Sequence, residues 1–93
     1  MDYLADVLKK FPEIHIRIEG HTDKNGTSET LLKLSEDRAN EVKKFLVRNK
    51  INPKRIEIIG YGGSKPITDN NAEDTRQLNR RVEIKITKVK YGL

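Results

Sequence analysis

The chain has 93 residues and a formal net charge of +5, from 19 Lys and Arg against 14 Asp and Glu. Only 34% of the residues are hydrophobic, which predicts one small domain over residues 1–93 with a thin core and no cofactor. The absence of cysteine excludes disulfides and Cys-ligated zinc. No apolar run approaches the ~20 residues of a membrane span, and the first residues lack a secretory signal. We therefore expect any membrane anchor or export signal to lie outside this chain.

The excess positive charge falls entirely between Arg76 and Leu93, and the preceding residues are neutral overall. Proteins that bind nucleic acids usually spread positive charge over several elements, because neutralisation of the phosphates sums over many contacts. We therefore expect no nucleic-acid partner. An interaction module that recruits acidic proteins or nucleic acid through the basic last strand remains the alternative.

The first half of the chain predicts a helix, a strand and a long second helix. Apolar residues at helical spacing indicate a helix over Tyr3–Lys10, which Pro12 ends. Isoleucines at alternate positions over Ile14–Glu19 indicate a strand with one buried face. A polar loop follows from residue 20 to residue 26. The period then returns to that of a helix over Ser28–Asn49, with Thr27 or Ser28 as the N-cap.

The second half predicts two more strands. Ile56 and Ile58 alternate with charged residues and lead into a glycine-rich loop at residues 60–63. A short helical turn over Ala72–Leu78 is weakly indicated. A last strand covers Val82–Ile86, and the tail from Thr87 either extends it or frays. Charge at alternate positions in all three strands indicates helices on one face only. The expected fold is a two-layer α+β sandwich with a mixed sheet.

Arg38 is unusual because it falls within the apolar stripe of the long helix. At about 100° per residue, Leu31, Leu34, Val42 and Phe45 all lie within roughly 40° of it. An unpaired guanidinium in an apolar setting costs several kcal/mol, so it requires a carboxylate, a path to water or a bound anion. A salt bridge and a ligand-binding role both satisfy this requirement.

Asp23 and Arg80 are the candidates to stand near Arg38. Asp23 follows the end of the first strand and precedes the long helix, a position where ligands collect in α/β connections. It could instead cap its own turn. An acid beside an inward arginine would bind a zwitterion such as an amino-acid head group, the carboxylate taking the ammonium and the guanidinium the carboxylate. Because side chains alternate along a strand, Arg80 is expected to point to the same side of the sheet as Val82. It either lines the same pocket or pairs with an acid at the rim of that pocket.

Enzymatic signals are weak, and we predict no catalytic activity. His15 and His21 would lie about 20 Å apart on an extended strand, too far to share a metal ion, and both are interpreted as solvated. The serines lack the context of a nucleophile, and the glycine-rich loop lacks the lysine and hydroxyl of a phosphate-binding loop.

Three blocks occur in order along the chain, at Ile18–Asp23, Leu34–Ala39 and Asn79–Ile84. Together they resemble the OmpA-like peptidoglycan-binding domain over about residues 14–86, which is most of the chain. The resemblance implies a βαβαβ-type fold and a periplasmic domain that anchors an outer-membrane or motor-stator protein to the cell wall. It also implies that the domain grips the diaminopimelate residue of the peptidoglycan stem peptide, with Asp23 on its ammonium and Arg38 on its carboxylate.

The same resemblance implies that Thr22, Asn79 and Arg80 line the pocket. The sequence departs from the family at Leu31, where Asn is usual, and at Thr75, where Gly is common. The family's usual first strand is also missing. We expect the chain to be a fragment of a longer envelope protein, or its sheet to be completed by the tail or by a partner chain, so a homodimer remains open.

Overall fold

The computed structural model describes residues 2–24, 26–65 and 80–88. Helix α1 spans Asp2–Lys10, strand β1 His15–Gly20 and helix α2 Ser28–Arg48. A 3-10 turn at Pro53–Arg55 leads into β2, Ile56–Gly60, and β3 spans Val82–Lys88. Thr87 and Lys88 thus extend the last strand. The predicted turn at residues 72–78 lies outside the described residues.

The described strands form a mixed sheet in the order β2-β1-β3. Strand β1 pairs with β2 in parallel and with β3 antiparallel, so β1 is the central strand. Helix α2 connects the two parallel strands. The predicted α+β fold with a mixed sheet is therefore confirmed.

The hydrophobic core lies between the helices and one face of the sheet. Its members are almost entirely small or aliphatic: Ala5, Leu8, Ile16, Ile18, Ala39, Leu46, Ile51 and Ile56. Ile16 and Ile18 are at most 1% exposed, whereas Ile86 on β3 is 62% exposed. The core is centred on β1 and β2, and it thins towards β3. No helix within the described ranges is long and apolar enough to cross a membrane.

Local hydrogen bonds explain where the helices begin and end. The Thr27 hydroxyl accepts a bond from the Thr30 amide at 3.2 Å, which makes Thr27 the N-cap of α2. Pro12 follows α1, and the Arg55 guanidinium donates to the carbonyls of Leu8 and Phe11 at 2.9 Å each. It therefore satisfies carbonyls that the end of α1 leaves without helical partners.

The buried stripe of α2 differs from the predicted one. It is centred on Ser35 and Ala39, both fully buried, whereas Leu34 is 40% exposed and Arg38 is half-buried. Arg38 lies about 60° around the helix from Ser35, at the edge of the stripe rather than in its middle. Size is the physical reason, because small residues face the sheet where the helix approaches it most closely.

Strand-end glycines allow this close approach. A Cβ atom at Gly20 would lie 2.0 Å from the Ser35 carbonyl oxygen, and one at Gly60 would lie 2.5 Å from the Ser35 Oγ. The Ser35 hydroxyl donates to the Leu32 carbonyl at 2.7 Å and accepts a bond from the Gly62 amide at 2.9 Å. Ser35 thereby fixes α2 against the carboxyl ends of β1 and β2.

Candidate functional site

The ladder between β1 and β3 continues past the ends of both strands. The His21 amide donates to the Arg81 carbonyl at 2.8 Å, and the Arg81 amide donates back to the His21 carbonyl at 3.2 Å. On the other side, the Thr22 amide donates to the Gly62 carbonyl at 2.8 Å. These bonds hold the segment after β1 in place, so that Asp23 meets the residue before Arg81.

Asp23 and Arg80 form an ion pair at this end of the sheet. The Nε and Nη2 atoms of Arg80 each lie 2.6 Å from Oδ2 of Asp23. The Asp23 side chain is 6% exposed and that of Arg80 is 32% exposed. A carboxylate buried to this degree requires a charged partner, because desolvation of an isolated ion costs several kcal/mol. The structure pairs Arg80 with an acid, Asp23, at this end of the sheet.

Arg38 lies on the flank of α2 that faces away from β2. Leu32 and Glu36, on the opposite flank, approach Gly62 and Gly60 at the end of β2. Arg38 has no hydrogen bond or ion pair with any residue that the structure describes, Asp23 included. Since the Cα–Cβ bonds of a helix tilt towards its N-terminus, the Arg38 side chain leaves α2 in the direction of the loop that precedes the helix.

Thr22 is 3% exposed, and its hydroxyl donates to the Asp23 carbonyl oxygen at 2.9 Å. It therefore braces the backbone that carries Asp23. Asn79 lies outside the described residues. The structure thus brings Thr22, Asp23 and Arg80 together, with Arg38 on the facing flank of the helix.

Sequence reasoning missed Ser35 as a supporting residue. The sequence gives Ser35 a place in the block Leu34–Ala39 but predicts no contact for it, yet its two hydrogen bonds tie the helix to the loop that follows β2. The signal was present in the sequence, because Leu31, Ser35 and Ala39 recur every four residues and therefore share one helical face.

The prediction that His21 is solvated was wrong. His21 is 1% exposed, and its ring stacks on that of Tyr61 with the ring centroids 5.2 Å apart. His21 points to the sheet face opposite α1 and α2, where its neighbours come from distant parts of the chain. Burial, and next the charge of Arg81, lower the pKa of His21 below its ordinary value.

A cleft of about 520 Å³ opens between the start of α2 and the loop after β2. Ser28, Leu31 and Leu32 line one wall, and residues 61–64 line the other. Of the predicted site residues that the structure describes, Thr22, Asp23, Arg38 and Arg80, none lines it, although Lys24, next to Asp23, does. Within the described ranges, no three His, Asp or Glu side chains are grouped to hold a metal ion.

Much of the positive charge of the last strand is paired internally. Besides the pair at Asp23, Arg81 Nη2 lies 2.6 Å and Lys85 Nζ 3.1 Å from Glu83 carboxylate oxygens. Since Glu83 is already counted in the net charge of residues 76–93, only the Arg80–Asp23 pair among these offsets part of that excess.

The model of the OmpA family matches residues 1–80. The chain belongs to the OmpA family. It is 42% identical over 83 residues to outer membrane porin F of Pseudomonas fluorescens, covering 89% of this chain and 26% of the porin. It is 40% identical over 68 residues to the peptidoglycan-associated lipoprotein of Pseudomonas aeruginosa, covering 73% of this chain and 40% of the lipoprotein. The chain therefore spans well under half the length of these relatives.

Solved structures show the same OmpA-family fold. The crystal structure of the peptidoglycan-associated lipoprotein from Burkholderia pseudomallei matches with a TM-score of 0.88 and 33% identity, over 91% of this chain and 72% of that one. The C-terminal domain of Helicobacter pylori MotB matches with a TM-score of 0.85 and 31% identity, over 94% and 68%. The family resemblance inferred from the three sequence blocks is confirmed.

Proposed function

We propose that this chain is a non-catalytic domain that binds peptidoglycan at the diaminopimelate residue of the stem peptide. From the periplasm it anchors an outer-membrane or motor-stator protein to the cell wall. The observation that carries the proposal is the ion pair of the buried Asp23 with Arg80, together with Arg38, which no described residue pairs with, on the helix flank facing that side of the sheet.

A zwitterionic ligand can exchange partners with the Asp23–Arg80 ion pair, because it carries one positive and one negative charge. The free end of diaminopimelate carries an ammonium and a carboxylate on one carbon atom. The ammonium replaces the Arg80 guanidinium at Asp23, and the ligand carboxylate takes the released guanidinium. Each charge thus keeps a partner throughout, which avoids the large cost of leaving a buried ion alone.

Arg38 supplies the second cation for the ligand carboxylate. Its planar guanidinium suits bidentate bonding to a carboxylate, and no described residue competes for it. Thr22 holds the backbone of Asp23, and Asn79 and Arg80 complete the proposed contacts. With one acid and two bases facing one zwitterion, net charge changes little, so we expect binding to depend only mildly on salt.

The relatives support this choice of partner. Two of the matched proteins are named peptidoglycan-associated lipoproteins, and one matched structure is the periplasmic domain of Helicobacter pylori MotB. Because this chain shares their fold, we propose the association with the wall and the periplasmic location for it as well.

Replacement of Arg38 by alanine tests the site. Loss of charge-assisted hydrogen bonds to the carboxylate should weaken sedimentation with purified peptidoglycan at least about tenfold, or ~1.4 kcal/mol. Arg48→Ala is the matched control, because Arg48 is an exposed arginine on the same helix. Circular dichroism would establish that both variants fold. Equal binding by wild type and a folded Arg38→Ala variant would contradict the proposal.

A further inference from the structure

His21 is a buried titratable group directly beside the proposed ligand site. Neither Nδ1 nor Nε2 has a hydrogen-bond partner among the residues that the structure describes. One face of the ring is covered by Tyr61, at an interplanar angle of 21°. Burial costs the charged imidazolium more than the neutral ring, so this setting favours neutral His21.

Charged groups face His21 from every described strand that adjoins it. Glu19 of β1 places Oε1 4.0 Å from Nε2, and Glu83 of β3 places Oε2 3.5 Å from it. The same Glu83 oxygen is already bound by Arg81, at 2.7 Å from Nε and 2.6 Å from Nη2. Beyond β2, Lys65 Nζ lies 4.0 Å from the centre of the Tyr61 ring.

A proton on His21 would therefore create a second cation competing with Arg81 for one carboxylate. Burial and the charge of Arg81 oppose that proton more than Glu83 and Glu19 favour it, which is why the pKa of His21 is lowered. Arg81 also donates to the Lys65 carbonyl at 3.1 Å, so its side chain links β3 to the loop after β2. Displacement of Arg81 would disturb both elements.

The backbone passes such a disturbance to the ligand site. His21 and Arg81 exchange two hydrogen bonds, and the next residues outward are Thr22 with Asp23 on one chain segment and Arg80 on the other. The paired side chains of Asp23 and Arg80 thus depend on the geometry of the His21–Arg81 bridge.

We propose that neutral His21 is a positioning residue for the Asp23–Arg80 pair, and that its protonation in a mildly acidic medium weakens ligand binding. The proposal rests on the proposed function, because the ligand is the same wall peptide. The groups around His21 are the acids Glu19 and Glu83, the bases Arg81 and Lys65, and the ring of Tyr61.

The test compares the affinity for a diaminopimelate-containing stem peptide at about pH 7.5 and about pH 5. In the wild type the dissociation constant at about pH 5 should exceed that at about pH 7.5, by a ratio that one linked proton limits to about tenfold per pH unit below its pKa. His21→Phe keeps a ring against Tyr61 and removes the proton, so its ratio should fall below about twofold. His15→Gln is the matched control, since His15 lies on the same strand, and it should keep the wild-type ratio.

A ratio for His21→Phe equal to that of wild type would overturn the proposal. If that variant does not fold, the wild-type protein still decides, through NMR titration of both histidine rings and of the Asp23 and Arg80 amides. The amide signals of Asp23 and Arg80 should shift with the same pH midpoint as the His21 ring. Amide signals that follow the His15 ring instead, or that do not shift at all, would overturn the coupling. If no peptide binds at either pH, the proposed function fails, and the same titration still decides whether His21 acts on the Asp23–Arg80 pair.

Discussion

The two faces of the sheet differ in the charge state of the side chains that they hold at the end of β1. On the helix side, Gly20 presses against Ser35 and Asp23 is held as an ion by Arg80. On the other side, His21 is held as a neutral ring between Tyr61 and a pair of carboxylates. His21 and Asp23 both follow β1 closely, yet their charge states differ because distant segments bring different partners to each side chain.

The close contact of helix and sheet is the feature whose loss should cost most. In Gly20→Ala the new Cβ would lie 2.0 Å from the Ser35 carbonyl oxygen and 2.8 Å from its carbon, both backbone atoms that cannot rotate away. We expect a loss of about 3 kcal/mol or more in the free energy of unfolding, at the upper end of overpacking costs. Urea denaturation measures it, with the exposed-strand variant Thr87→Ala as control. A loss no larger than that of the control would refute the close approach of α2.

The ion pair on the helix side should show strong coupling. A double-mutant cycle with Asp23→Asn and Arg80→Ala cancels the other contacts of each residue and isolates the pair. We expect a coupling energy of about 2 kcal/mol, between the values for exposed and for fully buried pairs, since Arg80 is 32% exposed. Additive effects of the two substitutions on urea stability would show that the pair contributes nothing.

On the face of the sheet that carries His21, the contribution to stability should depend on pH. Because the folded-state pKa of His21 is lowered, its contribution to stability is complete above the unfolded-state pKa of about 6.5. That contribution is lost as the pH falls from there through the folded-state pKa, by at most ~1.4 kcal/mol per pH unit. Urea midpoints of wild type and His21→Phe between about pH 7.5 and pH 5 measure the difference. Parallel pH profiles for the two proteins would contradict this account of His21.

The elements of the fold could be predicted because their signals are local. Alternating isoleucines at Ile16 and Ile18 indicated the central strand, Pro12 ended α1, and Thr27 capped α2. Each signal lies within a few residues of the feature that it determines. Charge at alternate positions indicated that helices cover one face only, and the order of helices and strands indicated a mixed sheet.

The site was predictable only in part, because it depends on contacts between distant residues. Asp23 and Arg80 are 57 positions apart, so the sequence named both residues without deciding that they bond to each other. The hydrophobic pattern of α2 placed Arg38 in the middle of the stripe, since it weighs polarity and ignores size. Ser35 and Ala39 face the sheet instead, because only small side chains fit opposite Gly20 and Gly60.

His21 shows the same limit on the other face. Strand parity correctly directed it away from the helices, but parity alone does not tell a wet face from a covered one. Tyr61 and Arg81, which cover it, come from segments 40 and 60 positions further along the chain.

The central claim is that the Asp23 site recognises both charges of an amino-acid head group. It is tested most directly by titrating the protein with meso-diaminopimelate, with cadaverine, which lacks both carboxylates, and with pimelate, which lacks both ammonium groups. Amide shifts of Asp23 and Arg80 should saturate with diaminopimelate, and the other two ligands should bind at least about tenfold more weakly. Equal affinity for all three ligands, or no shift at Asp23 with diaminopimelate, would contradict the account.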